Sequence, residues 1–367
     1  MDIVLDYCDE HWLTPYVYPT SLPPGNVFRQ LLSLSVIVVS GGYTLYFLTA
    51  ALNYYFIFDH RLKLHPQYLK NQVQMEIECS LKSIPYMSLL STVMFLLEVR
   101  GHGKLFDHFS ETSLGYWSVP VYSASFIVFT DSLIYWIHRA LHSKYLYKRL
   151  HKTHHKWKIP TPFASHAFNP IDGFLQSSPY HIYVFLFPMH KWTYLGLFVF
   201  VNVWTVSIHD GNYQVPERLK QIINGAAHHM DHHVYYNYNY GQFFTLWDRL
   251  GKSYRNPSSF EGDGPLQQVE KRQELQRRLS LSAAGDIAES TVLTDSPPRT
   301  PDEPEREVEL IRETVIIKET ITQEAIQATR EVNYGFSKGH VRTRSLTQQC
   351  EDFFAEAFAQ NCLKKID

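Results

Sequence analysis

The chain reads as an all-α membrane protein. About four transmembrane helical segments are expected, the last a hairpin, beneath a cytosolic, histidine-rich, metal-binding cap. Three observations predict this. Four long apolar runs follow one another within the first 208 residues. Thirteen of the 19 histidines fall between residues 138 and 233. Lys and Arg are unevenly divided among the loops joining the runs, in the way that sets membrane orientation.

The first run, "LLSLSVIVVSGGYTLYFLTAALNYYFIF" (31–58), has no charge and is long enough to cross a hydrocarbon core of roughly 30 Å. The second, "SIPYMSLLSTVMFLL" (83–97), is shorter but continuous. The third, "YWSVPVYSASFIVFTDSLIYWI" (116–137), carries one acid, Asp131. The fourth, 174–208, is interrupted at Pro188 to Lys191. A single crossing there would put the histidines before it and after it on opposite sides, so a hairpin that dips in and returns is expected. Arg29 alone precedes the first run, whereas Arg139, Lys144, Lys148, Arg149, Lys152, Lys156 and Lys158 follow the third. The N-terminus should therefore be lumenal, and the histidines and C-terminus cytosolic.

Composition excludes other classes. The net charge of −2 offers no basic field for nucleic acid. Cys8, Cys79, Cys350 and Cys362 are scattered and form no CxxC pair, which argues against a disulfide scaffold or a thiolate zinc site. The start, "MDIVLDYCDEHW", is acidic and lacks the basic region of a cleaved signal peptide. The expected organisation is a membrane-embedded catalytic region over 1–261, a disordered charged tail over 262–345 that includes "TDSPPRTPDEPERE", and a short amphipathic segment over 346–367. Lys364 and Lys365 lie at the positions of a dilysine signal for retrieval to the endoplasmic reticulum.

The histidines carry the chemistry. "HRALH" pairs His138 with His142, "HKTHH" groups His151, His154 and His155, and "HMDHH" groups His229, His232 and His233. On a helix, separations of three and four residues put rings on one face. Three such faces could surround two metal ions and leave positions open for dioxygen or water. Imidazole suits Fe, Zn, Cu and Ni. Acids near these boxes are few, namely Asp131 and Asp231. His209 and His166 are candidate further ligands. His228 points about 100° from the box face on a helix and, with Asp231, is expected behind the ligands.

HxxxH followed by two HxxHH boxes resembles the fatty acid hydroxylase and sterol desaturase superfamily. "FIVFTDSLIYWIHRALHSKYLYKRLHKTHHKWK", "TPFASHAFNPIDGFLQSSPYH" and "NYNYGQFFTLWDRLGKSYRNP" resemble the sterol C-5 desaturases, fungal ones in particular, over about residues 11–257. The resemblance implies iron ligation by the eight box histidines and two non-haem iron ions. It implies dioxygen as co-substrate, and electrons from NAD(P)H through cytochrome b5 and its reductase. The implied reaction introduces a C5–C6 double bond into a Δ7-sterol such as episterol, in ergosterol synthesis at the endoplasmic reticulum membrane. Two other readings compete: a fatty-acyl or sterol-methyl hydroxylase of the same superfamily, and an inactive, metal-bound membrane scaffold. The C-terminal dilysine would add coat machinery as a partner.

Overall fold

Among the described residues, three helices are long and apolar enough to cross a membrane, and each turns an apolar face outward. The computed structural model describes residues 1–211 and 215–294, with side chains as far as 282 apart from that of residue 217. A short helix, α1 (Asp2–Cys8), leads into a π-helical turn and then to α2 (Val27–Phe56). Asn26 caps α2 by accepting from the backbone N–H groups of Phe28 and Arg29. α3 (Gln72–Leu97) and α4 (Ser118–Leu141) follow. The three candidate spans are Val27–Phe56, Gln72–His102 and Gly115–Leu141.

The polarity of these helices is inverted relative to a soluble protein. Along α3, Gln72, Glu76, Ser80, Ser83, Ser88, Ser91 and Thr92 are buried, whereas Leu81, Leu89, Leu90, Val93 and Leu97 are exposed. A helix that hides its hydroxyls and shows its leucines is built for a lipid surround. The buried stripe also explains why α3 begins at Gln72, eleven residues before the apolar run. Gln72 donates to the Ile159 carbonyl at 2.7 Å and to Glu76 at 2.7 Å. Glu76 also accepts from the hydroxyl of Thr161. This polar contact holds the segment 159–163 that follows the second histidine box.

The fourth apolar run forms two shorter helices, α5 (Pro170–Leu186) and α6 (Lys191–Ile208). Between them, β2 (Met189–His190) pairs in parallel with β1 (Leu105–Phe106). The chain leaves the histidines along α5, turns at Pro188 to His190, and returns along α6 to His209. It then runs through α7 (Ala226–Tyr235) and α8 (Leu246–Leu250).

One sequence expectation is corrected at the start of the tail. Residues 265–294 form a helix, α9 (Pro265–Thr294), where disorder from 262 is expected. Leu266 and Val269, three residues apart, supply the apolar stripe that the composition of the whole segment hides. Val269 is buried, and Leu266 packs with Phe58, Leu62, Ile159 and Met230. Residues Met1–Ser282 form one compact unit. The remainder of the tail from 295, the segment 346–367, Lys364 and Lys365 lie outside the described residues.

Candidate metal centre

Nine histidines converge in two groups. His138, His142, His151, His155 and His232 form the first; His154, His209, His229 and His233 form the second. In each, one ring nitrogen per residue lies within 4.8 Å of all the others.

The boxes do not map one to one onto these groups, and helical periodicity explains the split. His138 and His142 end α4 one above the other, and both join the first group. On α7, His229 and His233 are four residues apart and about 40° apart around the helix, so both face the second group. His232 sits about 100° from His233 and faces the first. "HKTHH" lies on no continuous α-helix: a π-helical turn ends at His151 and a 3-10 turn spans His154–Lys156. The break sends His154 to the second group while His151 and His155 stay in the first. The expectation that each box presents one face to the metals is thus corrected for the second and third boxes.

Hydrogen bonds to the outer nitrogens fix which ring atom faces inward. A backbone carbonyl can only accept, so a ring nitrogen bonded to one must carry the proton. His138 Nδ1 donates to Tyr240 O at 2.8 Å and His232 Nδ1 to Tyr238 O at 2.7 Å. His209 Nδ1 donates to Thr205 O at 2.7 Å and His233 Nδ1 to Trp157 O at 2.8 Å. His151 Nδ1 donates to Asp172 Oδ2 at 2.7 Å. In a neutral ring, the inward Nε2 atoms are then bare lone pairs.

The inward nitrogens of both groups crowd together. His138 and His155 each bring Nε2 to 3.1 Å from that of His151, and His142 and His155 meet at the same separation. In the second group, His229 Nε2 lies 3.0 Å from His209 and 3.2 Å from His233, and His154 lies 3.4 Å from His209. Such contacts cannot be hydrogen bonds where neither atom carries a proton, and unrelieved they repel. Burial holds the rings at 142, 154, 155, 229, 232 and 233 well below the ordinary imidazole range, with neighbouring rings adding to the effect. Burial pushes His209 down to about 4. Among the described residues the buried His232 Nε2 has no hydrogen-bond partner. Uncharged rings presenting converging lone pairs fit a cation, and a donor set of imidazoles alone fits a transition metal.

The remaining candidates sit elsewhere. His166 joins neither group; its Nδ1 lies 3.0 Å from Ser165 Oγ, and its ring packs edge-on to Tyr46. Asp231 is turned away from the rings, contrary to expectation, and accepts from Ser258 N at 2.9 Å and Ser258 Oγ at 2.5 Å. His228 lies beside Phe260 and Tyr254, its Nδ1 accepting from Gly225 N at 3.4 Å. The carboxylate that does meet the centre is Asp172, missed by reading only the neighbourhoods of the boxes. A signal was present, because Asp172 is the only acid between Asp131 and Asp210. Asp131 instead accepts from the backbone N–H groups of Gln242, Phe243 and Phe244 at 3.2, 2.7 and 2.9 Å. It thereby holds the loop whose Tyr240 carbonyl orients His138.

A cavity of about 610 Å³ opens onto the centre. Helices α2, α3, α5 and α6 line most of it, with side chains such as Ile37, Leu45, Ile84, Phe95 and Phe198. His138, His154, His209 and His229 lie at its histidine end. Its size and apolar walls suit a rigid lipid of several fused rings.

Residues 123–253, which contain all nine histidines, match the Fatty acid hydroxylase family. The chain is 57% identical to the lathosterol oxidase of Homo sapiens over 277 residues, which is 76% of this chain and 93% of that protein. It is 50% identical to a Delta(7)-sterol 5(6)-desaturase of Schizosaccharomyces pombe, covering 74% of this chain and 89% of the relative. It is 48% identical to that of Candida albicans, covering 75% and 71% respectively. No solved structure matches.

Proposed function

Because the chain belongs to the sterol C-5 desaturases, within the fatty acid hydroxylase family, we propose that its two histidine groups hold a pair of non-haem iron ions at the closed end of a sterol cavity. The chain is an oxidoreductase that introduces the C5–C6 double bond into a Δ7-sterol. The observation that carries the metal reading is the convergence of inward Nε2 atoms at 3.0–3.4 Å in two adjoining groups, five of whose nine rings have the outer nitrogen committed as a donor.

His138, His142, His151, His155 and His232 would hold one ion; His154, His209, His229 and His233 the other. Iron held there supplies, with dioxygen, the one-electron oxidising power that an unactivated C–H bond requires and no side chain offers. The protein's own residues do the rest. Carbonyls of Tyr240, Tyr238, Thr205 and Trp157 keep the outer nitrogens of His138, His232, His209 and His233 protonated, Asp172 does the same for His151, and the inner nitrogens of these five rings are thereby left bare. The cavity walls exclude water and bring the edge of the sterol ring system against His138, His154 and His229. His166, Ser165 and Asn202 line the cavity without joining the ligand set.

Electrons would come from NAD(P)H through cytochrome b5. The protein would sit in the endoplasmic reticulum membrane with α5 and α6 as a fourth, hairpin segment and with histidines and tail cytosolic. Lys364 and Lys365 would serve retrieval through coat machinery.

The test is sterol analysis in a strain lacking its own C-5 desaturase. The wild-type chain should convert accumulated Δ7-sterols to Δ5,7-dienes. His155→Ala and His229→Ala should not, although both proteins remain in the membrane, and each purified variant should bind less iron. Full conversion by both variants would sink the metal assignment.

A further inference from the structure

A sterol's 3-hydroxyl stands two carbons from C5. If C5 and C6 react beside the histidines, whatever binds that hydroxyl must lie at the histidine end of the cavity, with the tail at C17 running the other way along the apolar walls. This geometry rests on the desaturase reading and directs attention to the polar side chains that line the cavity. Ser91 on α3 is already engaged, its Oγ 3.2 Å from His181 Nε2, and Gln176 on α5 is held by Asp172, its Nε2 donating to Oδ1 at 2.8 Å. Asn202 lies two turns of α6 before His209, about 10 Å along the axis. The Thr205 hydroxyl is committed twice, donating to Val201 O at 2.9 Å and accepting from Gln242 Nε2 at 2.8 Å.

Gln242 differs from all of these. It lines the cavity and grips Thr205, one turn from His209 and about 6 Å along the axis. Its backbone is locked, the N–H held by Asp131 and the carbonyl accepting from Trp204 Nε1 at 2.8 Å. The preceding Gly241 has no room for a side chain: an added Cβ would meet Asn224 Nδ2 at 2.3 Å and the Phe244 carbonyl at 2.7 Å. Asp248 fixes the same turn through the N–H groups of Tyr240 and Gly241, both at 2.8 Å. The turn that orients His138 through Tyr240 O therefore also fixes Gln242. Because Thr205 takes one N–H, the carboxamide oxygen and the second N–H have no partner among the described residues. A hydroxyl can donate to the first and accept from the second. We propose that Gln242, oriented by Thr205, is the positioning residue that binds the sterol 3-hydroxyl and thereby sets C5 and C6 against the metal centre.

Membranes containing the full chain are assayed on a 3β-hydroxy Δ7-sterol and on its 3-deoxy counterpart, with the conjugated diene read by ultraviolet absorption. The quantity of interest is the ratio of kcat/KM for the two substrates. The wild type should prefer the hydroxysterol by at least about tenfold, since a site built around a hydroxyl discriminates against its loss. Gln242→Met keeps the side-chain volume and removes both hydrogen-bonding groups, so the ratio should fall toward one, chiefly through a higher KM for the hydroxysterol. Thr205→Val should lower it part of the way, and that variant decides the matter if the first does not accumulate. An unmoved ratio in both, equal losses on both substrates, or a collapse of the ratio in Ser91→Ala instead would overturn the assignment of Gln242. A wild-type chain that makes no diene from either substrate would overturn the desaturase reading itself.

Discussion

The two histidine groups are made of one residue type and differ in what surrounds it. The first has five rings, a carboxylate behind one of them, and a member, His142, that is only half-buried. The surface beside it runs from Arg139 through Lys144, Lys148, Arg149, Lys152 and Lys156, all exposed, with no acid in that stretch. The second has four rings, all buried. Among its described contacts only backbone carbonyls stand behind the rings, and His154, His209 and His229 line the cavity. The first group thus borders the charged surface and reaches the cavity through His138 alone, whereas three of the four rings of the second line the apolar chamber. Under the proposed function both aspects are used, because electrons would arrive from an aqueous partner and the sterol from lipid. On the proposed function, this difference would put the second group nearer the substrate and the first nearer the electron donor.

The strongest way to break that comparison is to remove a ring from the substrate side. His229→Ala leaves His209 and His233 without the nitrogen that each approaches most closely. Turnover should fall by at least about a thousandfold, beyond what loss of an outer partner alone would do. Iron content of the purified protein should drop by about half if the groups load separately. Loss of all the iron would show instead that the two groups load as one.

Asp172→Asn addresses the other side. The amide can still reach His151 Nδ1 but accepts from it without charge, so the ring becomes a weaker donor to a cation. Outer partners of this kind are worth about 10- to 100-fold in metal affinity or activity. The loss should be relieved by added iron, and substrate KM should stay put because Asp172 supports the group away from the sterol. A change in KM with iron content unchanged would put Asp172 on the substrate side.

How much of this was legible in the sequence depends on the range of the interaction. The spans show in local composition. The eight box histidines show in spacing, and His209 shows as an isolated ring where an apolar run returns to the surface. Division of the boxes between groups was not legible, because it depends on a break in the helix at "HKTHH" that no residue there announces. Asp172 and the orienting carbonyls were hidden for another reason. A carbonyl has no residue identity, and Asp172 reaches His151 across 21 positions of chain. Asp231 misled by proximity in sequence: it sits between His229 and His232 yet turns to Ser258, because α7 presents that position to the opposite side. The start of α9 was masked by averaging, since Leu266 and Val269 are outnumbered by charged neighbours.

A third prediction sharpens the electron-side assignment. Lys148→Glu with Arg149→Glu reverses two exposed charges near His142 and touches no ligand. With cytochrome b5 as electron donor, turnover at low ionic strength should fall by about three- to tenfold, and the deficit should shrink as salt screens the surface. Iron content and sterol KM should be unaffected. A deficit that ignores salt would mean that the charges support the fold there rather than the partner.

The smallest expected effect is also the sharpest boundary on the site. His228 abuts His229 in sequence and is as buried as any ligand, yet its ring meets Phe260 and Tyr254, and its Nε2 faces no nitrogen of either group. Burial pushes it down to about 4, as it does His209, so burial and a neutral ring do not distinguish a ligand from a core histidine. What distinguishes them is convergence. His228→Gln should leave turnover within about twofold and iron content unchanged, at a modest cost in thermal stability from repacking beside Phe260. If that variant loses iron as His229→Ala does, then the ligand set is larger than the converging nine, and the line drawn between the two faces of α7 is in the wrong place.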